Sequence, residues 1–130
     1  MIQKSKESIT IDGTKIGDKL NCYVVAEIGI NHNGDIETAK KLIDVAVSAG
    51  ANAVKFQKRS LCDLYREDAL NDPNIESQGF EILVNVLKEV EFDKKEYEEI
   101  LDYCHEKNIT FLCTPWDIQS VDFLEKLNVP

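Results

Sequence analysis

Hydrophobic and polar positions change period several times along the 130-residue chain, and each change predicts an element. SITIDGTKIG, residues 8 to 17, alternates around Asp12-Gly13, a two-residue turn signal that predicts a short β-hairpin. CYVVAEIG, residues 22 to 29, is a nearly continuous apolar run of the kind that forms a parallel strand covered on both faces. From Asp35 the spacing becomes helical: Ala39, Leu42, Ile43 and Ala46 fall at i, i+3, i+4 and i+7, and Gly50 sits where a left-handed cap ends the helix. ANAVKFQ then returns to strand character.

Residues 57 to 78 show no clean period and contain Asp72-Pro73, which predicts a long loop. Phe80, Leu83, Val84 and Leu87 predict an amphipathic helix capped by Ser77. Asp93 and Glu96 form a capping-box pair before Tyr97, Ile100, Leu101 and Cys104, so a second helix follows and ends near Asn108. ITFLCTP is the third strand of the series, and Asp117 caps a last helix through Ile118, Val121, Leu124 and Leu127.

Strands alternating with helices define an α/β fold. Three parallel strands with helices on one side leave their other face and both edges uncovered, whereas such strands are nearly always buried. The chain stops at LEKLNVP, which resembles the helix-to-strand junctions SAGANAV and HEKNITF. The expectation is the N-terminal part of a TIM (β/α)8 barrel, for which about 250 residues is typical. In this reading residues 1–20 are a β-hairpin lead-in and residues 21–130 the first three βα units. Alone, such a piece is expected to be inert and poorly stable.

The formal charge is −9 and no Lys/Arg block appears, which argues against a nucleic-acid partner. A small anionic substrate stays possible, because a pocket needs only a few local cations. The N-terminal stretch has no apolar signal-peptide core and no later run reaches the length of a membrane span, so a cytoplasmic protein with no membrane partner is expected. Cys22, Cys62, Cys104 and Cys113 are scattered without a C-x-x-C pair, so neither a disulfide framework nor a zinc site has its usual spacing, and Cys104-His105 is a weak metal motif.

Chemistry concentrates at the strand ends. Alternation puts Val25, Glu27 and Gly29 on one face of the first strand, Ala53, Lys55 and Gln57 on one face of the second, and Thr110, Leu112 and Thr114 on one face of the third. If the purely apolar faces meet the helices, then Glu27, Lys55, Gln57 and Thr114 share the C-terminal mouth, where barrel active sites are built. Each has a plainer reading. Glu27 and Lys55 can be a buried ion pair, Thr114 a turn or cap residue, and Asn31, His32 and Asn33 the polar groups of a tight turn at Gly34-Asp35.

AEIGINHNGD, AGANAVKFQ and FLCTPWD together resemble the N-terminal part of the sialic acid synthase family, N-acetylneuraminate synthase and its relatives that make other nonulosonic acids, over about residues 8 to 130. The resemblance implies condensation of phosphoenolpyruvate with an N-acetylhexosamine such as N-acetylmannosamine, with release of phosphate. It implies a divalent metal, Mn2+ or Mg2+, whose ligands are not in this chain, and a homodimer for the complete enzyme. By position, Lys55 resembles the lysine that binds phosphoenolpyruvate and Thr114 the threonine that hydrogen-bonds it, while Glu27 and Gln57 match residues facing the sugar and the reacting centre. Glu27 and Lys55 are thus the catalytic candidates, and Lys55, Gln57 and Thr114 the substrate-binding ones. The family's metal-binding histidines, its second phosphoenolpyruvate lysine and its C-terminal antifreeze-like domain fall beyond Pro130. Cys113 and Trp116 stand where relatives often have a small residue and Phe.

Two other functions fit the same residues. Lys55 can act as the Schiff-base nucleophile of an aldolase, as lysines at barrel strand ends do. The chain can also be a non-catalytic barrel fragment whose open strand edge pairs with a second chain. Residues 57 to 78, with Tyr65 and Arg66, are where sugar discrimination is expected, if they touch substrate at all.

Overall fold

The computed structural model describes residues 8–71 and 80–130. β1 (Ile9–Ile11) and β2 (Thr14–Ile16) pair antiparallel, with Ile9 opposite Ile16. Both turn residues, Asp12 and Gly13, take positive φ, at 45° and 76°. That is the conformation which matches a two-residue turn to the strand twist.

The second sheet holds β3 (Val25–Gly29), β4 (Ala53–Lys58) and β5 (Thr110–Pro115), in that order and all parallel. α1 (Ile36–Ser48) returns the chain from β3 to β4. It starts at Asp35, whose carboxylate accepts the Thr38 backbone N–H at 3.0 Å, and it ends before Gly50 at φ +78°. Between β4 and β5 come α2 (Leu61–Leu64), α3 (Glu67–Asn71), α4 (Phe80–Val90) and α5 (Lys94–Glu106). The capping box predicted for α5 is formed: Asp93 Oδ1 accepts from Glu96 N at 2.9 Å and Glu96 Oε2 accepts from Asp93 N at 2.7 Å. α6 (Ile118–Lys126) begins at Asp117, which accepts from Ser120 N at 2.7 Å.

The core lies between the helices and one face of the parallel sheet. Val54, Phe56 and Phe111 pack there against Ile43 of α1 and Tyr97, Ile100 and Cys104 of α5. Each large apolar side chain buried in this layer contributes roughly 1.5–3 kcal/mol. Burial also pushes the Cys104 thiol up to about 12, so it behaves as a small core hydrophobe. The alternation behind the predicted faces therefore holds: the apolar strand positions meet the helices.

Three expectations are corrected or set aside. The segment 57 to 78 is not one loop, because β4 runs on to Lys58 and α2 and α3 follow. These helices have 4 and 5 residues, too short to show a helical period in sequence. Ser77 and Asp72-Pro73 lie outside the described residues. Ala53, on the face that the helices do not cover, is fully buried, whereas Val25 beside it is exposed. Ala53 is a small side chain flanked in register by Val25 and Thr110, and Thr110 is itself buried and donates through Oγ1 to Asp12 Oδ2 of the hairpin turn at 3.1 Å. No helix among the described residues is long and apolar enough to cross a membrane.

Candidate functional site

The parallel register sets Glu27 beside Lys55, Lys55 beside Leu112, and Gln57 beside Thr114, on the sheet face away from the helices. Glu27 Oε2 and Lys55 Nζ are 2.9 Å apart, with side chains 49% and 39% exposed. The pair is therefore open to solvent, not buried, and adds at most about 1 kcal/mol to folding. It leaves a carboxylate and an ammonium accessible in the middle of neighbouring strands, two residues before Gly29 and Gln57 respectively. Thr114, half-buried, flanks Gln57 one strand over.

A bulge shapes the end of β3. The register passes from Glu27 opposite Lys55 to Gly29 opposite Phe56, so Ile28 is the extra residue and turns into the core. Gly29 has φ +58°, and a Cβ there would lie 3.4 Å from Gln57 Nε2 and 3.6 Å from Glu27 Oε1. The glycine thus separates two polar side chains that approach from adjacent strands.

The loop after β3 holds a buried histidine. His32 is 2% exposed and stacks on Phe92 with ring centroids 4.0 Å apart. Burial lowers its pKa to about 4 against the opposing pull of a Gly29 backbone bond, and its Nδ1 accepts the Gly34 N–H at 3.2 Å. A neutral ring clasping a turn is the plainer of the two readings that the sequence allowed for Asn31, His32 and Asn33.

The end of β4 is held from the helix side. Tyr97 Oη donates to Gln57 O at 2.8 Å, and Trp116 N donates to Lys58 O at 3.0 Å. Lys58 Nζ lies 2.7 Å from Glu91 Oε1, and the same oxygen accepts the Arg59 N–H at 3.1 Å. Ser60 N donates to Asp117 Oδ2 at 2.6 Å. Burial would raise Asp117, but the bonds from Ser60 and Ser120 outweigh it and hold the carboxyl below its ordinary value. Desolvation raises Tyr97 and pushes Cys113 up to about 12, so both stay protonated. Gln57 thus hangs from a backbone with little freedom to move.

Arg59 was not singled out from sequence, because 57 to 78 read as loop. The signal was present: Lys55, Gln57 and Arg59 continue one alternation. The guanidinium is buried, donates to Gln57 Oε1 and lies 4.5 Å from the Trp116 ring centroid. Among the described residues no group of three or more His, Cys, Asp or Glu side chains is placed to hold a metal, and Cys104 and His105 are no exception. Glu27, the carboxylate beside Lys55 on the open sheet face, is engaged with that ammonium.

A parallel α/β sheet that collects an ammonium, a carboxylate, an amide and a hydroxyl on one face, from mid-strand to the C-terminal ends, has the layout of an α/β enzyme site. The NeuB family matches residues 42–130, and the chain belongs to that family. It is 37% identical to mouse N-acetylneuraminate-9-phosphate synthase over 119 residues, 91% of this chain and 33% of that protein. It is likewise 37% identical to the N,N'-diacetyllegionaminic acid synthase of Campylobacter jejuni over 113 residues, 82% of this chain and 32% of that one. The crystal structure of N-acetylneuraminic acid (sialic acid) synthetase from Leptospira borgpetersenii, in complex with citrate, superposes with a TM-score of 0.74 at 34% identity, covering 95% of this chain and 39% of that one. The chain spans about a third of the length of the curated relatives it matches.

Proposed function

We propose that the whole protein is a nonulosonic acid synthase, a transferase that condenses phosphoenolpyruvate with an N-acetylhexosamine such as N-acetylmannosamine and releases phosphate. The observation that carries this reading is the Glu27–Lys55 pair, open to solvent beside Gln57 and Thr114 in a chain similar to two such synthases. A fixed ammonium offsets the charge of an anionic substrate, and the neighbouring carboxylate can orient a hydroxyl or carry a proton. Lys55 and Thr114 would bind phosphoenolpyruvate; Glu27 and Gln57 would face the sugar and the reacting carbons. The Mn2+ or Mg2+ of such an enzyme would draw its ligands from elsewhere, since the described residues offer no cluster for it.

The same proposal extends to architecture. Residues 1–20 would be a hairpin lead-in and residues 21–130 the first three βα units of a (β/α)8 barrel, in a cytoplasmic homodimer. Among the described residues no strand pairs with the outer edge of β3 or of β5 and no helix covers the face that carries Glu27 and Lys55, which supports it, because parallel strands are stable when both faces are covered. An aldolase is less well supported. A Schiff-base lysine works as a neutral amine in an apolar pocket, whereas Lys55 is half-exposed in an ion pair.

The test is phosphate release from phosphoenolpyruvate by the whole protein, with Mn2+ and a series of N-acetylhexosamines. Turnover that needs both substrates supports the synthase. A borohydride-trapped pyruvate adduct on Lys55, with no phosphate release, would establish the aldolase instead.

A further inference from the structure

Arg59 is 7% exposed, and its only hydrogen-bond partner through the guanidinium, among the described residues, is the neutral carboxamide of Gln57. Its Nη1 is buried with no partner. The nearby carboxylate of Glu91 is taken by Lys58 Nζ and by the Arg59 backbone N–H. One face of the guanidinium is covered by Trp116. A buried cation without a carboxylate is costly to fold, so the arrangement is a poor choice for stability alone.

Its consequence for Gln57 follows from hydrogen-bond chemistry. A guanidinium carries donors only, so the carboxamide must present Oε1 to it. Nε2, with its two N–H donors, is then turned the other way. There it stands 3.4 Å from the point where a Gly29 Cβ would be, and Glu27 Oε1 is 3.6 Å from that same point. The backbone of Gln57 is already held by Tyr97, so the amide can neither swing nor flip without breaking the Arg59 bond.

We infer that Arg59 is a positioning residue: it locks the Gln57 carboxamide with its N–H donors toward Gly29 and Glu27, and so makes this corner of the site select a hydrogen-bond-accepting oxygen of the substrate. The inference rests on the reading of Gln57 as a substrate-binding residue. The oxygen can belong to phosphoenolpyruvate or to the sugar, and steady-state kinetics varying each substrate separately distinguishes them by whose KM moves.

The experiment compares Arg59→Met, Gln57→Met, the double variant and Gln57→Glu in the whole protein, with Lys55→Ala as the check on the synthase reading. Loss of one directional hydrogen bond should raise the KM for one substrate roughly tenfold in Arg59→Met and in Gln57→Met, with kcat changed less. The double variant should be no worse than Gln57→Met, because Arg59 acts through Gln57. Gln57→Glu gives Arg59 a carboxylate, so that variant should melt higher than the parent and still lose the same tenfold, since the donor is gone. Losses that add in the double variant, or parental KM values in a well-folded Gln57→Glu, would overturn the inference. The Gln57 side-chain amide resonances give a readout that needs no turnover: they should shift and exchange faster with water in Arg59→Met. Unchanged resonances would overturn the positioning role even if the protein proves to be a synthase, and moved resonances would uphold it even if phosphoenolpyruvate is not the substrate.

Discussion

Lys58 Nζ sits 2.7 Å from Glu91 Oε1 with both side chains only 15% exposed, so the strand that carries Lys55 and Gln57 is tied at its end to the α4–α5 junction by a largely buried ion pair. Removing one partner strands the other charge. Glu91→Gln should therefore destabilise the protein by on the order of 3 kcal/mol. Adding Lys58→Met to it should restore part of that loss, because the amide oxygen still accepts the Arg59 N–H and the unpaired Lys58 ammonium is gone. Urea denaturation of the two single variants and the double checks this, and strictly additive losses would show that the pair is not coupled.

Gly34 should be intolerant of any side chain. Its φ is +73°, and a Cβ would come within 2.3 Å of the Glu89 backbone oxygen, which cannot move aside as a flexible side chain would. Gly50 shares the left-handed backbone, at φ +78°, but has open space around it. Gly50→Ala should cost about 1 kcal/mol from backbone conformation alone, and Gly34→Ala clearly more. Comparison of their melting temperatures separates steric exclusion from conformational preference.

His32 gives the fold a pH dependence of known sign. Its pKa falls from 6.5 to about 4 on burial, so the unfolded chain takes up a proton that the folded chain refuses. Stability from this residue is complete above pH 6.5, declines by up to about 1.4 kcal/mol per pH unit as the pH falls toward 4, and levels off below. His32→Gln keeps an acceptor in reach of the turn but does not titrate. Its unfolding free energy should fall less steeply between pH 6.5 and 5 than the parent's, and identical slopes would remove His32 as the cause.

Lys55→Ala in the whole protein should raise the KM for phosphoenolpyruvate by about 10- to 100-fold, the scale of a hydrogen bond to a charged group, and change sugar use far less. Kinetics with each substrate varied in turn decide it. Unchanged phosphoenolpyruvate kinetics would take Lys55 out of the site.

The longer elements and the faces of the strands were legible in the sequence because the interactions that set them are local, whereas the one-turn helices α2 and α3 read as loop. Asp12-Gly13 turns the hairpin, Asp93 and Glu96 close their own capping box, and strict alternation places Glu27, Lys55, Gln57 and Thr114 on one side of the sheet whatever covers the other. Tertiary structure decided what those residues meet. Nothing near Gln57 in the chain says that Tyr97 holds its carbonyl or that Trp116 covers Arg59, since these contacts depend on how α5 and the end of β5 settle against β4. His32 is ambiguous as one polar residue of a turn and becomes a neutral, stacked ring only when Phe92 arrives from the far side of α4. The bulge at Ile28 likewise needs the partner strand, because an extra residue is defined only against the register it breaks.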